Sequence, residues 1–150
     1  MKKLTLAVCL FVSTLALPSL AQEKPATSAR ALVERGLNAY LKDGATAAIQ
    51  AWIKGSGLEG NTQSISQANT LRQFEDFYGK PESFDVIREN VIAPRSQMVI
   101  FAVNYTKGIL FGRFQAYQTK SGEWVATEFK YATEAAMILP LEIAFDLKTR

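Results

Sequence analysis

The chain has 150 residues, a formal net charge of +3, one cysteine and no histidine. The missing histidine excludes the commonest general base, Ser–His and Cys–His nucleophile pairs, and His-ligated zinc or copper. The length fits one domain, which at this size buries roughly two-thirds of its unfolded surface and can hold its own core.

Met1-Lys2-Lys3 precedes an uncharged run from Leu4 to Leu17 that closes on Pro18-Ser19-Leu20-Ala21. A positive start, a short apolar stretch and a small final residue form the three-part pattern of a cleavable export signal. The run is shorter than the roughly 20 residues that span a bilayer, and Pro18 interrupts it. The expectation is cleavage between Ala21 and Gln22, a periplasmic or secreted product, and no stable membrane anchor. Cys9 lies in mid-run after the bulky Val8, too early for a lipid-modified cysteine, and leaves with the signal. The mature chain is then free of cysteine although disulfides can form where exported proteins live, so packing must hold it together. Lys2 and Lys3 leave as well, and no basic stripe remains to suggest nucleic acid.

Residues 22–28 are polar, contain Pro25, and read as a flexible leader. Ser28 is a natural N-cap for a helix whose apolar face carries Val33, Leu37, Tyr40 and Leu41, and Asp43-Gly44 ends it. A shorter helix places Ala45, Ala48, Ile49, Trp52 and Ile53 on one side and stops at Gly55-Ser56-Gly57. After a loop over 58–63, a third helix carries Ile65, Ala68, Leu71, Phe74 and Tyr78 at three- and four-residue steps and ends at Gly79-Lys80-Pro81. The period then changes from helix to strand. Phe84 and Val86 face one way, and Asp85, Ile87 and Glu89 the other. Ala93-Pro94 turns the chain into a strand from Met98 to Tyr105 that is apolar on both faces. Thr106-Lys107-Gly108 leads to a strand from Ile109 to Thr119, and Lys120-Ser121-Gly122 is a hairpin signal before a last strand from Glu123 to Ala132. Short connections make the sheet antiparallel. Glu134 to Leu139 fits one helical turn before Pro140, Leu141 to Phe145 is apolar enough to dock, and Lys148-Thr149-Arg150 should fray.

The expected fold class is α+β, with three N-terminal helices packed on a four-stranded antiparallel sheet. The order of elements, the segment from Gly44 to Trp52, and Phe129-Lys130-Tyr131-Ala132 ahead of Ile138-Leu139-Pro140 give the chain a resemblance to the nuclear-transport-factor-2-like (cystatin-like α+β) superfamily. The resemblance covers about residues 29–140, with 141–150 as a C-terminal tail. It implies a curved, cone-shaped sheet with a pocket between helices and sheet, and often a homodimer through the outer sheet face. Members include isomerases, dehydratases, ligand binders and inert scaffolds, so the fold does not select an activity. The enzymes among them typically use an Asp, often with a His or Tyr, and this chain has no His and no Asp that matches.

Candidate ligand-binding residues are Tyr40, Trp52, Tyr78, Arg113, Tyr117 and Glu128. Arg113 and Glu128 stand within apolar strands and would orient a polar or anionic ligand if both point into the cone; otherwise they form a cross-strand ion pair on a wet face. Tyr40, Trp52, Tyr78, Tyr105, Tyr117 and Tyr131 either line an aromatic pocket or build the core. Asp85 with Glu89, and Glu75 with Asp76, are carboxylate pairs without a metal-loop spacing and read as solvated charge. Asn104-Tyr105-Thr106 matches the glycosylation triplet but lies at a strand end. No nucleotide loop or nucleophile elbow is present, and neither a cofactor nor a metal is implied. The reading that follows is an exported, non-catalytic domain that binds a small apolar or amphiphilic ligand or a protein partner. Alternatives are a carboxylate/tyrosine isomerase or hydratase, and a dimeric structural scaffold.

Overall fold

The computed structural model describes residues 25–145. The expected signal, its Ala21–Gln22 cleavage point, Cys9 and residues 148–150 lie outside the described residues. Helix α1 (Ala29–Asp43) starts at the expected cap, where Ser28 Oγ accepts the Ala31 amide at 3.0 Å and satisfies one of the orphan amides of the first turn. Gly44, at φ +86°, ends α1 and donates its amide to the Tyr40 carbonyl. Helix α2 (Ala45–Ile53) follows at once, and α3 (Thr62–Tyr78) is capped by Asn61, whose side chain accepts from the Gln63 amide.

Four strands complete the main body in the order β1-β2-β3-β4, every pair antiparallel. They are β1 (Pro81–Ala93), β2 (Ser96–Tyr105), β3 (Gly108–Gln118) and β4 (Trp124–Ala132). The inner face carries Val99, Phe101, Val103 and Tyr105 of β2 with Leu110, Phe114 and Ala116 of β3, all in one core with α1 and α2. Alternation sends Ile109, Phe111, Arg113, Gln115 and Tyr117 to the outer face. Phe84 and Val86 share one face, as expected, and that face is the inner one, beside Val103 and Phe101. Glu89 does not follow the expected alternation. The register shifts between Val86 and Arg88, so Glu89 pairs with the inward Val99 and reaches across to Arg30 of α1 at 3.0 Å. One irregular residue is enough to move a side chain to the other face.

Trp52 joins helices to sheet. Its indole N–H donates to the Val33 carbonyl at 3.0 Å, and its ring centroid lies 5.5 to 6.3 Å from those of Phe114, Phe129, Phe101 and Tyr131. Gly36 of α1 makes this possible, because a Cβ there would stand 2.1 Å from Trp52 Nε1. Phe101 lies in the same way over Gly112 on the neighbouring strand, where a Cβ would come within 2.2 Å of its ring.

The three helices are not the whole helical complement. Helix α4 (Ala135–Ile138) forms where one helical turn was expected, and helix α5 (Leu141–Ala144) adds a turn within the segment expected as a tail, with Leu141 and Phe145 left exposed. α4 touches β3 and β4, and Glu142 of α5 pairs with Arg88 of β1 at 3.7 Å. Arg88 sits opposite the outward Ile100, so this segment runs from one sheet edge to the other over the outer face. Ile100, Ala102 and Ile138 are accordingly buried yet separate from the main core. One face of β2 meets α1 and α2, and on the other Ile100 and Ala102 are buried as well.

Gly36→Ala should destabilise the fold by about 2 kcal/mol or more through overpacking against the indole, while Gly57→Ala, whose Cβ would meet nothing within 4 Å, should change little. Urea unfolding followed by tryptophan fluorescence compares the two. Ile138→Asp puts a charge at a buried position of α4 and should cost about 2–4 kcal/mol, with a rise in the binding of a dye that reports exposed apolar surface.

Candidate functional site

The six residues expected to form one ligand site fall into two groups on opposite faces of the sheet. Tyr40 and Trp52 are buried in the helix–sheet core. Tyr78 closes the end of that core: its ring lies against Gly108, where a Cβ would come within 2.2 Å, and stacks with Phe74 at 6.5 Å. Arg113, Tyr117 and Glu128 are on the outer face. Glu128 stands 2.9 Å from Lys130 and 3.8 Å from Arg113, a half-exposed charge cluster across β3 and β4. Tyr117 is 40% exposed and carries Arg95 over its ring at 4.9 Å, while Arg95 Nε donates to the Gln118 carbonyl at 2.8 Å. This contact pins the β1–β2 turn to the end of β3.

Inside the core the tyrosines form a polar cluster. Tyr40 and Tyr105 hydroxyls are 2.9 Å apart, and Tyr40 also donates to the Leu71 carbonyl at 3.3 Å. Burial holds Tyr40 well above the usual tyrosine range, with its bond to Tyr105 and the nearby Glu75 carboxylate acting in the same direction. Burial pushes Tyr105 up to about 12, opposed by the bond from Tyr40 and aided by Glu75. Tyr131 is raised well above its ordinary value by burial and by its proximity to Tyr105. All three hydroxyls are therefore neutral at physiological pH, able to donate but not to act as bases. Among the described residues, Tyr131 Oη and Glu75 Oε1 are buried and have no hydrogen-bond partner.

The two carboxylates of the other pair, Asp85 and Glu89, serve as struts. Asp85 accepts from Asn104 Nδ2 at 2.8 Å across β1 and β2, and Glu89 holds Arg30.

An apolar groove on the helical layer was not foreseen in the sequence. Between α2 and α3, on the side away from the aromatic core, lies a groove of about 520 Å³. Ile49, Ile53 and Ala68 form its floor, and Ile65 stands as an apolar wall. Ile65 was expected on the packed face of α3; instead it is 66% exposed, and Ser64 is buried in its place, donating to the Leu58 carbonyl at 2.8 Å. The rim is polar, with Lys54 and Arg72 as cations and Glu59 as an anion whose Oε2 accepts the Gly55 amide at 2.7 Å. The volume falls within the range of small-molecule sites, and an apolar floor with a few polar groups is their usual lining. The one available signal was the small Ala68 on α3 facing Ile49 and Ile53 on α2, which leaves room where two larger side chains would meet.

No protein family, curated protein or solved structure matches this chain.

Two substitutions separate the roles of the core hydroxyls. Tyr105→Phe leaves Tyr40 only the longer bond to Leu71 and should cost about 1 kcal/mol, whereas Tyr131→Phe removes a buried hydroxyl without a partner and should be neutral or stabilising. The linkage has a definite sign. Tyr105 titrates at about 12 when folded and near 10.0 otherwise, so its contribution is complete below pH 10 and is lost as pH rises toward 12. Denaturant midpoints measured from pH 9 to 12 should fall less steeply for Tyr105→Phe than for the parent.

Proposed function

We propose that this is a non-catalytic, exported binding domain of the cone-type α+β class, which holds an apolar or amphiphilic small molecule in the α2–α3 groove. The observation that carries this reading is the groove itself: about 520 Å³ floored by Ile49, Ile53 and Ala68 beside the exposed Ile65. The space directly between α2 and the sheet is taken by Trp52 against its four aromatic neighbours, so the ligand enters beside the core and not through it. The absence of histidine from the whole chain also favours binding over catalysis.

The neutral fluorophore N-phenyl-1-naphthylamine should bind to the protein and be displaced by straight-chain alcohols. Each added methylene should tighten displacement by about twofold to fourfold, the upper end corresponding to full burial at about 0.8 kcal/mol per methylene. Ile65→Asp, at an exposed position that does not hold the fold, should weaken binding at least fivefold while leaving the unfolding midpoint in place. Displacement that is indifferent to chain length, or to Ile65→Asp, overturns the reading.

A further inference from the structure

We infer that the ligand is a single-chain amphiphile with an anionic headgroup, held by Arg72, an assignment that rests on the groove being the binding site. Arg72 lies on the groove rim, and its guanidinium donates to Thr46 Oγ1 and Asn69 Oδ1, one residue on each of the two helices that form the groove. Both acceptors are neutral. No carboxylate pairs with Arg72 among the described residues, although Arg30, Arg88 and Arg113 each have one. A guanidinium has five N–H donors. The two bonds fix its plane across the groove and leave donors for an incoming acceptor. A carboxylate, sulfate or phosphate head matches such a planar fork better than a neutral head does.

The charge around the groove points the same way. The rim carries two cations, Arg72 and Lys54, against one anion, Glu59, whose Oε2 also accepts the Gly55 amide. The floor of Ile49, Ile53 and Ala68 accepts a hydrocarbon chain and offers a charged group nothing. Head and chain are thus separated in space: the charge sits on the rim at Arg72, and the chain runs along the apolar floor between α2 and α3. A neutral head would leave the Arg72 charge without a counter-ion, and a cationic amphiphile would meet the like charge of Arg72.

The test compares three probes of equal chain length, dodecanoate, 1-dodecanol and dodecyltrimethylammonium, each below its micelle-forming concentration, in displacement of N-phenyl-1-naphthylamine. The intact protein should prefer dodecanoate over dodecanol by about fivefold at low ionic strength, with the preference shrinking as salt is added. Dodecyltrimethylammonium should bind most weakly. Arg72→Gln should erase the preference for dodecanoate over dodecanol, and Arg72→Lys should restore part of it. Equal binding of dodecanoate and dodecanol by the intact protein, or a preference that survives Arg72→Gln, overturns the headgroup assignment and leaves the groove standing. Failure of dodecanol to displace the probe removes the groove reading and this assignment with it.

Discussion

The packing of Trp52 onto Gly36 is the constraint from which the rest of the arrangement follows. A helix pair that must place an indole 2.1 Å from where a Cβ would be can do so only if one partner has no side chain, and this fixes the approach of α2 to α1 at one point. The indole N–H then bonds to Val33 on the same helix, so the ring has one orientation. From there it presents its face and edges to Phe101, Phe114, Phe129 and Tyr131, which come from three different strands. Phe101 can take its place only because Gly112 beside it lacks a side chain. Two glycines and one tryptophan thus set the distance between layers, and aromatic contacts at these separations add to the area they bury.

That economy leaves α3 at the periphery. With α1 and α2 filling most of the inner face, α3 buries only Ser64, Ala68 and Leu71. The gap between α2 and α3 is the consequence, and its apolar floor is the outer side of the same residues, Ile49 and Ile53, that support the core from within. On the far side of the sheet the chain solves a related problem differently. Ile138 of α4 is buried against the β3–β4 side, while Glu142 reaches Arg88 at the opposite edge. The exposed ion pair contributes little stability by itself; burial of Ile138 is the larger effect, and the pair directs where the segment crosses.

Much of this was legible residue by residue. Ser28, Gly44 and Gly79 punctuate the helices because capping and left-handed φ values are local requirements, satisfied by residue type alone. The five residues on one side of α2 are the five that are buried, since helical spacing and burial coincide when only one face meets a partner. Strand faces were harder. In β3 both alternating sets contain large apolar side chains, Ile109 and Phe111 against Leu110 and Phe114, so periodicity could not choose between them. The choice came from tertiary structure, with α1 and α2 on one side and a short C-terminal cover on the other. Glu89 was unreadable because a register shift leaves no mark in residue type. The α2–α3 groove was hidden for a deeper reason: a space between two elements belongs to neither sequence segment, and Ile65 looks the same whether it is packed or exposed.

The tyrosine cluster shows why a catalytic reading does not follow from residue types alone. Tyr40, Tyr105, Tyr131 and Glu75 are the groups that acid–base chemistry without histidine would require, and they do gather in the interior. The bonds made there, however, are structural: Tyr40 joins Tyr105 and the Leu71 carbonyl, tying α1 to β2 and to α3, while Tyr131 Oη has no partner. Burial raises every one of the three phenols, and a phenol held neutral above its ordinary range is a poorer source of phenolate at physiological pH. The same low-dielectric surroundings that would strengthen an oxyanion contact here strengthen a structural one. The cluster therefore works as a polar joint between layers that Trp52 has already brought together, and the exposed chemistry of the helical layer lies outside it, on the rim of the groove.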